Sequence, residues 1–392
     1  MRIAEIQEAL RAHGLDGWLF FDHHGRDPIA YRVLRFEPAS MVTRRWYYLV
    51  PAEGDPVGLA HRIEPDMLAA LPGEIIHYAG WKEQTAALAR ILEGRKRIAM
   101  QYSPNCAVPY VSNIDAGTVE LVRAAGVEVV SSADLVQLFE VRWSDDAYRS
   151  HKEAGVLVDR VRRAAFEKVA AALASGVRVT EMEIHDFILD LFRARGLCTD
   201  HGPIVAVNAN ASNPHYEPTP ERHSEIRRGD LLLIDLWAKF SRPGAAYYDI
   251  TWTGYCGAAP PAPMLNVFRV VSGARDAAVT LVKKAADDGQ ELAGYEVDDA
   301  ARGHIQAAGF GEYFFHRTGH SIGEEVHGNG ANMDNYETHD ERRVLARTCF
   351  SVEPGIYLPE FGIRSEVNVY RGESAAEVTG EIQTELLRLL QD

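Results

Sequence analysis

Leu231-Leu-Leu-Ile-Asp235-Leu-Trp237 is a run of apolar residues interrupted by a single carboxylate. Apolar residues at consecutive positions read as a strand covered on both faces. A carboxylate inside such a strand is costly to bury unless donors or a cation meet it. By itself, Asp235 fits a buried acid bonded to backbone donors. The next strand-like stretch holds Asp249-Ile-Thr-Trp-Thr253, and adjacent strands can aim both acids at one point.

Further along the chain, other segments carry the same chemistry. His316-Arg-Thr-Gly-His320-Ser-Ile-Gly323 is followed by His327. That density of imidazoles and glycines suits close approach to a metal or substrate. Glu353-Pro-Gly-Ile-Tyr357 ends the strand-like Thr348–Val352, and the Pro-Gly pair fixes the carboxylate at its tip. In Gly362-Ile-Arg-Ser-Glu366, Arg364 and Glu366 share a strand face. Asn213-Pro-His215-Tyr-Glu-Pro218 holds a histidine between prolines. Together, Asp235, Asp249, His320, Glu353 and Glu366 form a hard, oxygen-rich donor set. It suits two divalent metal ions sharing bridging carboxylates. Such ligation favours Mn2+, with Co2+, Fe2+ or Zn2+ as further candidates.

The chain of 392 residues exceeds one ordinary core, so two domains are expected. Hydrophobic content of 46% and charged content of 25% match a soluble globular protein. A net charge of -15 repels phosphate backbones and argues against nucleic-acid binding. Cys106, Cys198, Cys256 and Cys349 contain no C-x-x-C pair and make no disulfide framework. The first residues alternate charge with apolar positions at helical spacing, which reads as an amphipathic helix and not a signal peptide. No run approaches the ~18 apolar residues of a membrane span. A cytoplasmic protein with no membrane partner is expected.

Residues 1–143 read as an α/β unit. Its helices are expected at 3–13, 82–94 and 116–125, and its strands at 17–21, 45–50, 97–100 and 127–130. Ser144-Asp-Asp146 makes a helix N-cap and places the boundary, so the second domain spans 144–392. A long helix over 146–174 follows, then a capping box, Thr180 with Glu183, opening a helix over 181–195. Strands are expected at 203–208, 231–238, 246–256, 313–316, 348–353 and 363–370. Helices are expected at 263–287 and 296–308, with a short closing helix over Ile382–Leu390.

These segments together resemble the pita-bread metallopeptidases of family M24: methionine aminopeptidase, aminopeptidase P and prolidase. The resemblance covers residues 150–392, and the N-terminal region looks like the extra domain of prolidase, aminopeptidase P and creatinase. It implies an α/β (α+β) chain. The C-terminal catalytic domain would be a curved antiparallel sheet flanked by helices, behind a smaller creatinase-like α/β domain. It also implies roles. Asp235 would bind one metal, Asp249 and Glu366 would bridge both, and His320 and Glu353 would hold the other. Glu353 would handle the proton. His215 and His327 would hydrogen-bond the scissile carbonyl, and His316 would line the substrate pocket. Arg364 would meet a substrate carboxylate, and Tyr357 matches the tyrosine after Glu-Pro-Gly in aminopeptidase P. The expected activity is hydrolysis of the bond between an N-terminal residue and proline. Xaa-Pro dipeptidase comes ahead of Xaa-Pro aminopeptidase, and a homodimer is implied.

The pattern has departures. Trp252 stands where the family usually carries arginine, Ser241-Arg-Pro-Gly244 lengthens the link between the two aspartates, and Asn329–Arg343 is long and polar. They keep open a related C–N hydrolase acting on a small amide or amidine, and, behind it, an inactive peptidase-like binding module. His24 and Arg26 read first as a surface loop and second as residues that help close a site in another subunit.

Overall fold

The computed structural model describes residues 2–37 and 41–391. The chain divides into two compact units, Met1–Val141 and Arg142–Asp392.

The first unit contains α1 (Ile3–Ala12), β1 (Gly17–Asp22), α2 (Pro28–Leu34), β2 (Trp46–Pro51), β3 (Val57–His61), β4 (Glu74–Tyr78), α3 (Trp81–Leu92), β5 (Arg97–Met100), α4 (Ala116–Arg123), β6 (Glu128–Ser131) and α5 (Ala133–Val136). The strands form one sheet in the order β4-β3-β2-β1-β5-β6. Only β2 runs against the rest. Trp18 and Phe20 of β1 pack with Ile6 and Leu10 of α1, while Leu19 and Phe21 pack with Leu88 and Ile91 of α3. Both faces are covered, which is why β1 is apolar at consecutive positions. α2, β3, β4 and α5 have no counterpart in the sequence reading. The signals for α2 were present, because the Asp27 carboxylate caps Ala30 N–H (3.2 Å) with Pro28 at the first helical position.

The second unit opens with α6 (Asp145–Ser175) and α7 (Glu181–Ala194). Ser144 caps α6, Gly176 ends it in the left-handed region, and the Thr180–Glu183 capping box starts α7. Then come β7 (Leu197–Cys198), β8 (Ile204–Val207), β9 (Leu231–Phe240), β10 (Tyr248–Tyr255), α8 (Ala262–Asp287) and α9 (Gly294–Ala307). The remaining strands are β11 (Ser321–Ile322), β12 (Thr348–Val352), β13 (Gly355–Tyr357), β14 (Gly362–Arg364), β15 (Val367–Arg371), β16 (Ala376–Val378) and β17 (Leu387–Arg388). They assemble as β17-β10-β9-β7 with β8 also on β9, as β11-β12-β15-β16, and as the hairpin β13-β14. Leu232, Ile234 and Leu236 of β9 pack on Val158 and Val161 of α6 and Ile184 and Ile188 of α7. The alternation of a strand therefore sends Leu233, Asp235 and Trp237 to the opposite face. Behind β12 and β15, Phe350 and Val367 join Val271 of α8 and Val297 of α9 in a second core.

Three expectations are corrected. Residues 382–390 form no helix: they run extended, with β17 pairing parallel to the end of β10. No strand occupies 313–316, where a short 3-10 turn over Gly311–Tyr313 gives way to loop. The single strand expected at 363–370 is two, β14 and β15, broken at Ser365 and Glu366. Among the described residues, no helix is long and apolar enough to cross a membrane.

Candidate metal centre

β9 and β10 pair antiparallel with Asp235 opposite Thr251 and Asp249 opposite Trp237. Asp249, Thr251 and Asp235 thus share the face turned away from α6 and α7. Asn368 fixes the Asp249 backbone by accepting from its N–H (3.1 Å) and donating to its carbonyl (2.7 Å). Glu366, at the break between β14 and β15, sends its N–H to the Thr251 carbonyl (3.1 Å) and accepts the Thr251 hydroxyl at Oε2 (2.7 Å). His320 precedes β11, and Glu353 follows β12. Ser351 joins them, because its Oγ accepts His320 N–H (2.9 Å) and donates to Glu353 Oε1 (3.0 Å).

All five expected ligands line one cleft of about 550 Å³. Within it, donor atoms of Asp249, His320 and Glu366 lie within 4.8 Å of one another. His320 Nδ1 faces the Ser321 carbonyl (3.3 Å), which fixes the proton there and leaves the Nε2 lone pair facing carboxylates. Nε2 lies 3.6 Å from Asp249 Oδ2 and 3.4 Å from Glu353 Oε1. Asp235 Oδ1, Asp249 Oδ1 and Glu366 Oε1 are buried and meet no donor. Burial, reinforced by the neighbouring acids, pushes Asp249 and Glu366 well above the usual carboxylate range. Burial also moves Asp235 up to about 7 against the pull of Arg364. Glu353 moves the other way: burial raises it, but His320, Arg364 and His316 outweigh that and leave it below its ordinary value. Protein charges alone leave this cluster short of positive charge. Unpaired carboxylate oxygens around a bare imidazole nitrogen fit a divalent cation.

The expected substrate residues fall into two groups. His215, His316 and His327 line the cleft, with His215 and His327 exposed and the His327 ring edge-on to His320 at 4.3 Å. Tyr357 is buried and stands behind His316, donating its hydroxyl to Nε2 (2.7 Å), so it does not line the cleft. Burial pushes His316 down to about 4, and this hydrogen bond requires the neutral ring. Arg364 borders the cleft but is almost wholly buried, and each of its three nitrogens makes a hydrogen bond. Nε bonds Thr251 Oγ1 (3.0 Å), Nη1 bonds Tyr357 OH (3.2 Å), and Nη2 bonds Asp235 Oδ2. Through these bonds Arg364 grips the cluster itself.

Sequence reasoning missed the residues that orient the cluster. Thr251 was findable two positions after Asp249, on the same strand face. Ser351 and Asn368 carried no local signal. Neither did Asp298 on α9, whose buried carboxylate accepts Thr318 N–H (2.9 Å) and hydroxyl (2.6 Å) and pairs with Arg302 (2.9 Å). Thr318 in turn accepts Glu353 N–H (2.7 Å). The departures also resolve. Trp252 points away from the cleft, with the Arg162 guanidinium 3.6 Å over its ring, whereas the long polar loop brings Glu337 to the cleft wall.

Comparison with known proteins agrees with this geometry. Residues 149–373 match the metallopeptidase family M24, and the chain belongs to that family. It is 33% identical over 175 residues to the Xaa-Pro dipeptidase of Lactobacillus delbrueckii subsp. lactis, covering 43% of this chain and 41% of that one. It is 32% identical over 185 residues to the Xaa-Pro dipeptidase of Pyrococcus furiosus, covering 47% and 48%. The chain spans about half the length of the curated relatives it matches. The crystal structure of dipeptidase PepE from Mycobacterium ulcerans superposes with a TM-score of 0.72 at 25% identity, covering 99% of this chain and 97% of that one. The mixed α/β fold with the pita-bread catalytic scaffold is therefore the one the chain adopts.

Proposed function

We propose that this chain hydrolyses the bond between an N-terminal residue and proline with two divalent metal ions, as an Xaa-Pro dipeptidase ahead of an Xaa-Pro aminopeptidase. The observation that carries the reading is the buried cluster of four carboxylates and one imidazole, with three carboxylate oxygens unpartnered, at the wall of a cleft open to small peptides. The names of the relatives support the substrate class. On this reading Asp235, Asp249, His320, Glu353 and Glu366 would hold the ions, with Asp249 and Glu366 shared between them. The oxygen-rich set favours Mn2+. Met1–Val141 is assigned as the creatinase-like domain and Arg142–Asp392 as the catalytic one, in a homodimer.

The residues of the cluster would place there the chemistry that divalent ions supply, namely polarisation of the scissile carbonyl and a lowered water pKa. The rest falls to the chain's own side chains. Glu353 receives a proton at Oε2 and returns it to the leaving nitrogen, while Ser351 holds Oε1. An Xaa-Pro amide has no N–H and cannot be held by strand pairing, so side chains must orient it. His215 and His327 donate to the carbonyl oxygen as negative charge develops, and losing one such donor costs about 10²–10³ in rate. His316, neutral and fixed by Tyr357, shapes the wall beside them.

The test strips the purified protein with chelator, restores Mn2+, and assays Ala-Pro against Ala-Pro-Xaa peptides with metal content measured on the same sample. Metal-dependent cleavage of Ala-Pro is expected, and Asp249→Ala should lose both metal and activity. Metal-independent turnover, or none on any Xaa-Pro peptide, overturns the reading.

A further inference from the structure

We propose that Met1–Val141 carries a second binding site, for a small oxyanion with two or more negative charges, in the cleft at the carboxyl ends of β1, β3 and β4. Nothing in this inference depends on the peptidase reading. The cleft measures about 870 Å³. Phe21 near the end of β1, His61 at the end of β3 and Tyr78 at the end of β4 line it. These three strands run parallel, and the crevice outside the carboxyl ends of parallel strands is where open α/β sheets place ligands.

The charge of this cleft is unlike the rest of the molecule. Arg26, Arg44 and Arg45 all line it in a chain whose net charge is -15. Several other arginines of the same unit meet acids, as in Arg62 with Glu83 (3.7 Å) and Arg90 with Glu74 (3.5 Å), and Arg11 and Arg95 direct their donors to backbone carbonyls. Among the described residues, the Arg26 and Arg45 guanidinium groups make no hydrogen bond or ion pair, and Arg44 reaches only its neighbour Thr43 (3.1 Å). Arg45 is half-buried, so its charge has given up part of its water without gaining a partner.

Two carboxylates, Asp115 in the cleft wall beside Arg26 and Glu64 nearby, offset part of this positive field with their charge, but their oxygens are turned to neutral donors. Asp115 spends its oxygens on Thr118 N–H (2.9 Å) and hydroxyl (2.8 Å), capping α4. Glu64 accepts from the backbone N–H groups of Thr43 (2.8 Å) and Arg44 (3.2 Å). His61 is likewise committed, its Nε2–H donating to the Ala79 carbonyl (2.8 Å). His23 sits among these cations and is held below its ordinary pKa by burial, His24, Arg26 and Arg45. The remaining free donors are forked guanidinium groups, whose geometry matches carboxylate and phosphate oxygens. Trp81, the exposed first residue of α3, offers a flat apolar face for an organic portion.

Isothermal titration calorimetry on the full chain separates the sources of such an anion, with inorganic phosphate, adenosine monophosphate and succinate as probes. Saturable binding of at least one probe at one site per chain is expected, with Kd below about 1 mM and weakening as salt rises. Arg45→Gln and Arg26→Gln should each weaken it on the order of tenfold while keeping the native circular dichroism spectrum. Asp249→Ala should leave it unchanged, which separates the cleft from the metal centre. Tighter binding of the phosphates assigns a phosphate ligand, and tighter binding of succinate assigns a dicarboxylate. No saturable binding of any probe, full affinity in both arginine variants, or loss of binding in Asp249→Ala overturns the proposal.

Discussion

Thr251 shows how one hydroxyl can set two charges. Its fully buried Oγ donates to Glu366 Oε2 and accepts from Arg364 Nε, so the guanidinium and the carboxylate are held in one orientation. Thr251→Val keeps the shape and removes both bonds. Leaving two buried charged groups short of a partner costs about 1–3 kcal/mol each in stability. Loss of such an orienting contact typically weakens metal affinity by about 10–100-fold. Chemical unfolding and a Mn2+ titration of the same variant check the two effects. Unchanged metal affinity would show that Arg364 and Glu366 hold their places without the hydroxyl. The four acids and one imidazole of the centre were legible because each is a polar residue in an apolar strand or beside a Gly or Pro stop. Thr251 was not singled out, because threonine is an ordinary strand residue and its role exists only once β14 and β15 cross β10.

The same distinction holds for whole elements. α6, α7 and β9 announced themselves through a cap, a capping box and an apolar run, all local signals. The C-terminal segment did not. Residues 382–390 show helical spacing, yet tertiary bonds hold them extended. Gln383 is the reason: its amide lies along β10 as a strand's peptide group would. Oε1 accepts Thr253 N–H (3.0 Å), and Nε2 donates to the Thr253 carbonyl (2.6 Å). Its own carbonyl accepts from buried Arg275 (2.7 Å), which also donates to Ser365 Oγ (2.7 Å) beside Glu366. Local propensity cannot compete when a sheet edge is left unpaired without the segment. Gln383→Leu should strand both Thr253 backbone groups and lower stability by about 2–4 kcal/mol, read as a shift in the urea midpoint. A midpoint unmoved by the substitution would mean that water or a shifted backbone replaces the amide.

Across the second unit, polar contacts join distant stretches of chain, and one of them titrates. His151, wholly buried on α6, donates Nδ1–H to the Tyr247 carbonyl and accepts the Thr379 hydroxyl at Nε2 (2.7 Å). The helix is thereby tied both to the entry of β10 and to the segment after β16. This arrangement uses the neutral ring, and burial pushes the pKa down to about 4 from an ordinary 6.5. A histidine whose folded pKa is depressed takes up its proton more readily when unfolded. Its contribution is therefore complete above pH 6.5 and is lost as pH falls through the window down to 4. The shift corresponds to about 3 kcal/mol over that window. Carboxylates of the metal centre with raised pKa values act in the opposite sense, so the wild-type curve alone mixes the two. The difference between wild type and His151→Gln isolates the histidine. Urea midpoints measured from pH 8 to pH 4 should show the wild type losing its advantage over the variant below pH 6.5. A constant gap across that range would show that His151 keeps its proton balance on unfolding and that the α6 tie is insensitive to acid.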